Sequence, residues 1–208
     1  RFHRALLALP DLRARYGELV RRHRRAALEA WMAAVLDKAV AVMRADAAGV
    51  LDETVEPVSA RWPGHDDTED PVLRLRRDPL ARQLAAAAEL LARGAAKAAR
   101  DAGENLAAAL VLPDPDECEA GVWGAFFTQK GELRVAAEKM AGIPALADTL
   151  IELREMRRQW LARRDQQSLA ALSRVLLAEY AVLKRERGLV DMPDLERAAA
   201  ALLADEPL

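Results

Sequence analysis

The chain has 208 residues, of which 52% are hydrophobic and only 4% aromatic, and its formal net charge at pH 7 is −2. A charge this close to neutral gives no global attraction to a polyanion, so a contact with nucleic acid has to come from a local basic surface. The single cysteine, Cys118, excludes a disulfide framework and argues against a cysteine-based zinc site.

The composition favours a mainly α-helical fold, because alanine is abundant and the aromatic residues typical of β-sandwiches are few. No apolar run approaches the roughly 20 residues of a membrane span, and the opening segment is too short and too charged for a signal peptide. We therefore expect a cytoplasmic protein without a membrane partner. Residue 1 is arginine and the first methionine is Met32, so we also expect this chain to be a segment of a longer protein.

The first predicted part, residues 1–112, is helical. Apolar residues recur at helical spacing over 11–48. Pro10 with Asp11 marks the start of this pattern, which predicts either one helix or two with a break near Gly17.

A loop insertion is predicted near 49–78, where prolines, glycines and acids cluster. Asp78 is then expected to be the N-cap, with proline at the first helical position, of one helix over 79–110. Gly94 and Gly103 weaken this helix locally or permit close approach of a neighbour.

The second predicted part, residues 113–208, contains a short hairpin and long helices. The aromatic residues and the turn-forming glycine in 122–134 predict the single β segment. Helical patterns follow as a short piece at 134–141, a long stretch over 146–187 and a last helix over 192–203.

The sequence contains no recognisable catalytic motif and no P-loop lysine. His3, His23 and His65 lie in unrelated contexts, without the paired spacing of a metal site. Asp191 and Asp194 could form a carboxylate pair for a metal or for acid–base work. We favour helix capping, since Asp191 stands at the N-cap position just after a glycine turn and Asp194 falls in the first helical turn.

Two basic clusters, at 21–25 and 184–187, either form solvated helix faces or contact phosphates. Trp123, Phe126 and Phe127 could stack on bases. Buried packing is the favoured interpretation for these aromatic residues, because the rest of the core has so few of them.

The segment from residue 180 to 195 resembles a motif of UvrD/Rep-type superfamily 1 DNA helicases. That motif reads roughly Tyr…Lys…Gly-Leu-(Leu/Val)-Asp-Phe-x-(Asp/Glu)-Leu, and here Met192 replaces the aromatic residue. In that family it lies where the chain leaves the helical 1B subdomain and re-enters the first RecA-like domain. The residues that carry the resemblance are Tyr180, Lys184, Gly188, Asp191, Asp194 and Leu195.

A second stretch, FTQKGELR over 127–134, is similar to the Phe-Leu-Thr-x-(Lys/Asp)-Gly-Glu-Pro-Arg segment of AddA-type helicase–nuclease subunits. In those double-strand break repair enzymes it also precedes a long helical run and then the first motif, as it does here. The residues that carry this resemblance are Phe127, Thr128, Gly131 and Glu132.

The resemblance implies a helical 1B-like accessory domain with at most one short β-hairpin, ending at the junction to a RecA-like motor domain. It implies non-specific contact with duplex DNA during repair and recombination, in the cytoplasm of a bacterium. ATP and Mg²⁺ would serve the motor domains of the parent chain, with no cofactor in this segment, and a second helicase–nuclease subunit would be a further partner. The candidate DNA contacts are Arg21, Arg22, Arg25, Lys130, Arg134 and Lys184.

Two other functions stay open on the sequence. One is a helical scaffold or protein-interaction domain without a DNA role or a catalytic role. The other is an independent enzyme in which Asp191 and Asp194 bind a metal ion.

Overall fold

The computed structural model describes residues 1–134 and 141–204. Helices account for 77% of the described residues and strand for 1%, which confirms the predicted mainly α fold. The helices are α1 Phe2–Ala8, α2 Pro10–His23, α3 Arg25–Asp37, α4 Ala39–Ala47, α5 Val58–Arg61, α6 Leu80–Ala92, α7 Lys97–Leu110, α8 Pro115–Phe126, α9 Ile143–Arg187 and α10 Met192–Ala204. Within the described ranges, no helix combines the length and the apolar character that a membrane crossing requires.

The chain divides into two compact units, one of which is discontinuous in sequence. Unit 1 combines Arg1–Glu56 with Ala162–Leu208, and unit 2 is the continuous stretch Pro57–Leu161. The boundary predicted at residue 112 falls inside unit 2, between α7 and α8, which pack against each other. The proline and aspartate after residue 112 change the direction of the chain without ending a packed unit.

The N-terminal helices of unit 1 differ from the prediction in where they break. α2 begins at Pro10 as the sequence predicts, but the helical pattern is interrupted at Arg24 and Lys38 and continues through Gly17. Arg24 has a φ of 66°, a conformation in which glycine is the usual residue, so nothing in the sequence marks this break. The core of unit 1 contains Phe2, Leu6, Leu19, Leu28, Val35, Leu172 and Leu176.

The segment 49–78 is more ordered than the predicted loop. It contains two 3-10 turns as well as α5, and its buried apolar residues are Val58, Pro71, Val72 and Leu75. Its polar residues hold it in place, since Asp67 accepts hydrogen bonds from the Ser59 backbone amide at 3.0 Å and from the Ser59 hydroxyl at 2.5 Å. The Trp160 indole also donates to the Asp67 carbonyl at 2.9 Å.

The single helix predicted over 79–110 is two helices, α6 and α7, separated by a turn that includes Gly94. Pro79 takes the N-cap position that was predicted for Asp78. The Asp78 carboxylate instead lies 3.0 Å from Arg82, one turn further along the chain.

Gly103 lets α6 and α7 approach closely, which is one of its two predicted roles. A Cβ atom added at Gly103 would lie 2.4 Å from the amide nitrogen of Ala92 and 2.6 Å from the carbonyl oxygen of Ala88. Real Cβ atoms do not make contacts this short, so only glycine fits. The core around this crossing includes Leu80, Leu84, Leu91, Leu106, Ala109, Cys118, Val122 and Phe126.

The β segment predicted over 122–134 is helical in its first part. The Asp114 carboxylate accepts hydrogen bonds from two backbone amides in the first turn of α8, at 2.8 and 3.0 Å, and a proline follows it. These signals begin a helix here, and it continues through Phe126. Strand pairing is reduced to one antiparallel bridge between Phe127 and Leu133.

α9 is a continuous helix of 45 residues. Residues 143–161 belong to unit 2 and 162–187 to unit 1. The short helical piece predicted at 134–141 falls mainly on 135–140, outside the described residues. The buried apolar residues that α9 contributes to unit 2 are Ile143, Leu146, Ala147, Leu150, Leu153, Met156 and Trp160.

Arg157 is a buried cation in unit 2, with 4% of its surface exposed. Its guanidinium donates to Asp70 at 3.1 and 3.2 Å, to Asp116 at 2.5 Å and to Glu119. Burial lowers the pKa of Arg157, but the hydrogen bonds to Asp70 and Glu119 more than offset this, and its pKa lies above the ordinary value. The three carboxylates together supply the acceptors that a planar guanidinium needs.

Two glycines within helices should respond to alanine in opposite ways. Gly103→Ala pushes a methyl group into the backbone of α6 and should lower the free energy of unfolding by roughly 1–3 kcal/mol. Gly17→Ala meets nothing within 4 Å and should raise it by about 1 kcal/mol through helix propensity. Urea denaturation followed by circular dichroism measures both, and shifts of the same sign would contradict this packing of α6 and α7.

Arg157→Met should destabilise unit 2 strongly, because it leaves the Asp70 and Glu119 carboxylates without their cation. The expected loss at neutral pH is about 3–5 kcal/mol. Arg158→Met on the same helix is the matched control, since Arg158 is exposed and pairs with Glu155 across one helical turn. A change of less than about 0.5 kcal/mol is expected there, and equal losses for the two variants would show that Arg157 is not a buried ion-pair centre.

Candidate functional site

The end of α9 carries the first half of the helicase-like motif. The Leu189 amide donates to the Lys184 carbonyl at 2.9 Å, and the Gly188 amide donates to the Arg185 carbonyl at 3.4 Å. This pair of bonds is a Schellman motif, in which Gly188 supplies the left-handed residue with a φ of 61°. The predicted helix end at Gly188 is confirmed.

The start of α10 is closed by a reciprocal pair of hydrogen bonds. The Asp194 amide donates to the Asp191 carboxylate at 3.1 Å, and the Asp191 amide donates to the Asp194 carboxylate at 3.3 Å. This is the geometry of a capping box, with aspartate in both positions. The predicted capping role of Asp191 is confirmed.

Lys184 joins the two helix ends. Its ammonium lies 3.0 Å from both carboxylate oxygens of Asp191 and 2.8 Å from both oxygens of Asp194, and it sits 4.9 Å from the centre of the Tyr180 ring. Only 8% of the Lys184 surface is exposed. We refer to Tyr180, Lys184, Asp191 and Asp194 as the Lys184 cluster.

The electrostatics of the Lys184 cluster favour the charged lysine. Burial lowers the pKa of Lys184, but hydrogen bonds to Asp194 and Asp191 more than offset this, so its pKa lies above the ordinary value. A hydrogen bond with Asp191 raises the pKa of Tyr180, and partial burial raises it further. The phenol and the ammonium therefore both keep their protons at neutral pH.

This arrangement argues against a metal site at Asp191 and Asp194. The ammonium of Lys184 occupies the space between the two carboxylates, where a metal ion would have to lie. Elsewhere in residues 1–134 and 141–204, no group of three or more histidine, cysteine, aspartate or glutamate residues is placed to hold a metal ion.

The second motif forms a tight hairpin in unit 2. The Thr128 amide donates to the Glu132 carbonyl at 2.8 Å, and the Thr128 hydroxyl accepts from the Glu132 amide at 3.3 Å. Gly131 donates to the Thr128 carbonyl and has a φ of 82°, which a residue with a Cβ rarely adopts. Lys130 lies at the exposed tip of the hairpin. Arg134 is also exposed, and its side chain donates a hydrogen bond to the Gly124 carbonyl at 2.9 Å.

The aromatic residues before this hairpin are packing residues. Phe126 and Phe127 are buried, and the Phe127 ring stacks on Trp123 with ring centroids 3.9 Å apart. The Arg154 guanidinium covers the Trp123 ring at 3.9 Å. The favoured interpretation of these side chains as packing residues is confirmed.

The basic run 21–25 is split by the turn at Arg24. Arg22 turns towards Asp165 on α9 of the same unit, 2.5 Å away. Arg25 remains exposed and donates to Glu29 at 2.7 Å, while Arg21 is exposed.

The structure therefore separates the six candidate DNA contacts into groups with different surroundings. Lys184 is buried within its cluster, so it is not available to contact a phosphate. Arg22 is engaged by an internal carboxylate, and Arg25 by a neighbour on its own helix. Arg21, Lys130 and Arg134 are the three that remain exposed without a carboxylate partner in the described chain.

Sequence reasoning missed Asp165 as the partner that draws Arg22 inward. His23 contacts the same carboxylate, at 2.6 Å. These residues are 142 and more positions apart in the chain, so no local pattern could have paired them. No protein-family model, curated protein or solved structure matches this chain.

Lys184→Met should lower the free energy of unfolding by roughly 1–3 kcal/mol at pH 7, because it leaves two carboxylates facing each other. The pKa of Lys184 is raised on folding, so the ammonium stabilises the fold fully below its unfolded pKa of about 10.4. This stabilisation is lost as the pH rises through the folded value. The difference between wild type and variant should therefore shrink in alkaline solution.

Thermal unfolding followed by circular dichroism between neutral and alkaline pH measures this effect. Lys97→Met is the matched control, since Lys97 pairs with Asp101 on the surface of α7 and its loss should change stability little. If the stability gap between Lys184→Met and wild type does not narrow above about pH 10.4, the ammonium is not the stabilising group.

Proposed function

We propose that this chain is the accessory 1B region of an ATP-dependent DNA helicase of the UvrD/Rep type, close to the AddA helicase–nuclease subunits. Its role is to hold duplex DNA by phosphate contacts during DNA repair and recombination, without reading sequence. ATP and Mg²⁺ act in the motor domains of the parent protein, which works in the bacterial cytoplasm.

The observation that carries the proposal is the Lys184 cluster. The four polar residues by which the sequence resembles the helicase motif make one set of mutual contacts, together with the Gly188 turn. These four polar residues and Gly188 thus each have a physical reason to stand where they do. The second motif also forms one compact element, the hairpin around Gly131.

A RecA-like motor domain as the neighbour is supported by the exposed apolar side chains after Gly188. Leu189, Val190 and Met192 are between 54% and 70% exposed, and Leu202 and Leu203 on α10 are more than 70% exposed. Apolar patches of this kind are typical of surfaces that another protein surface covers. In the proposed parent, this segment leads into the first motor domain, which is the partner we assign to it.

A second function, a helical protein-interaction domain without a DNA role, is favoured by the same exposed apolar residues. The two functions differ in what the arginines and lysines do. A scaffold would bind a protein partner through α10 and would not bind DNA at any salt concentration.

Fluorescence anisotropy with a labelled duplex that carries a single-stranded tail tests the proposal. We expect binding to fall roughly 100-fold for a fourfold rise in salt if about four phosphates are contacted. A duplex of the same length and scrambled sequence should bind equally well. Absence of binding at the lowest salt, or a clear preference for one sequence, would contradict the DNA-holding role.

Lys130→Ala should weaken this binding and reduce the slope of log affinity against log salt by about one. Lys97→Ala is the matched control in the same unit, because Lys97 is also exposed but pairs with Asp101. Equal effects of the two substitutions on DNA affinity would show that the hairpin is not part of the proposed DNA surface.

A further inference from the structure

The exposed side of α2 carries a row of arginines of which only Arg21 was a predicted DNA contact. Starting from Arg13, the row continues at Gly17, Arg21 and Arg24, that is at i+4, i+8 and i+11. At these spacings residues 13, 17 and 21 share one face of α2, and Arg24 follows at the C-cap, where the helix ends. All four are exposed to solvent. We refer to this face as the α2 stripe.

Ion pairing distinguishes the α2 stripe from its neighbours in the sequence. Arg22 contacts Asp165, and Arg25 donates to Glu29. No carboxylate in the described part of the chain pairs with the three arginines of the stripe. Their charges are therefore free to meet a ligand.

The local charge balance around the α2 stripe is strongly positive, although the whole chain has a net charge of −2. Residues 10–29 contain six arginines and three acids. Of these acids, Glu18 lies near Arg22 and Arg164, and Glu29 pairs with Arg25. The stripe thus presents a concentrated positive surface that acidic neighbours do not neutralise.

The unusual backbone conformation of Arg24 also supports a role for its side chain in binding. Its φ of 66° and ψ of 154° lie close to a region that glycine occupies almost exclusively. Among the described residues, it is the one non-glycine residue with a positive φ. The chain therefore carries an arginine where glycine would be less strained, and the side chain it places there is an exposed cation.

The spacing of the α2 stripe suits a nucleic-acid strand. With a rise of about 1.5 Å per residue, Arg13 and Arg21 are about 12 Å apart along the helix axis, and Arg24 follows about 4.5 Å further. One strand of B-DNA has a phosphate every 3.4 Å or so along its axis, so the stripe runs beside about five phosphates. Gly17 leaves the helix backbone uncovered between the first two arginines, because no side chain fills the space above it.

We propose that the α2 stripe is a phosphate-backbone contact surface for a nucleic-acid strand, with Arg13, Arg21 and Arg24 as the cations and Gly17 as the point of closest approach. This inference rests on the proposed DNA-holding function and assigns the unit 1 residues that perform it. It adds Arg13, and it adds Arg24, which lies in the basic cluster 21–25 but was not among the six candidate contacts. It sets aside Arg22 and Lys184. Arginine suits this role because its planar fork binds phosphate oxygens in pairs.

The test uses the full chain and the labelled tailed duplex, with affinity measured over a salt series. The variant Arg13→Ala/Arg21→Ala/Arg24→Ala should reduce the slope of log affinity against log salt by about three. The matched control is Arg82→Ala/Arg93→Ala/Arg158→Ala, which removes the same charge from exposed arginines that pair with acids three or four residues away in the sequence. The control should keep nearly the full slope, and replacing the stripe arginines by lysine should preserve most of it.

The outcomes separate this inference from the proposed function. If wild type binds DNA with the expected salt dependence and the stripe variant binds equally well, the α2 stripe is not the contact surface, although the DNA-holding function stands. If wild type does not bind DNA, both fail. A slope reduced equally in the stripe variant and in the control indicates a general charge effect and also overturns the inference.

Arg24→Gly gives a second readout that a purely structural residue would not produce. Glycine relieves the backbone strain at this position, so the melting temperature should rise. The same substitution removes one phosphate contact, so the salt slope should fall by about one. Higher thermal stability with unchanged DNA affinity would contradict a binding role for Arg24.

Discussion

A helix of 45 residues with a mixed polar surface gains most of its stability from packing, and α9 contributes core residues to each unit. In unit 2 its apolar side chains, from Ile143 to Leu153, complete the core formed by α6, α7 and α8. In unit 1, Leu172 and Leu176 complete the core formed by the N-terminal helices. Over residues 163–167 the helix is polar. There Arg163 and Gln166 donate to backbone carbonyls of unit 1.

Two positively charged side chains, Arg157 and Lys184, are buried in the same way. Arg157 and Lys184 are each buried and each contacted by more than one carboxylate, which is the condition under which a charge can leave water. At Arg157 the partners come from distant parts of unit 2 and tie separate elements together. At Lys184 they come from the next few residues and fix the angle between two consecutive helices.

Much of the fold follows from local sequence signals. Helical periodicity predicts α9 and α10, and Pro10 with Asp11 marks the start of α2. The start signal of α8 at Asp114 was interpreted only as a break, because the aromatic residues in 122–134 predict a β segment. The two missed breaks in the N-terminal helices have a common cause, because Arg24 and Lys38 lack the turn chemistry of glycine or proline. In the same way, 49–78 looks like a loop in sequence, since its order depends on hydrogen bonds to residues such as Trp160 that are distant in the chain.

In the candidate site, too, the sequence predicts the local contacts but not the contacts between residues distant in the chain. The capping role of Asp191 and the glycine turn are local, and the sequence predicts both. Lys184 was expected to contact DNA. It lies only seven and ten residues before Asp191 and Asp194, so an internal ion pair with them is also compatible with the sequence. Arg22 could not be resolved in this way, because Asp165 reaches it only after the chain has folded.

Because unit 1 is discontinuous in sequence, its core closes late during synthesis on the ribosome. Unit 2, Pro57–Leu161, has its complete set of core residues as soon as its own stretch has emerged. Residues 1–56 emerge earlier, yet Leu19 and Leu28 have to wait for Leu172 and Leu176 before their shared core can close. Domains generally fold as units during synthesis. The two cores are therefore completed in the reverse of the order in which their first residues are made.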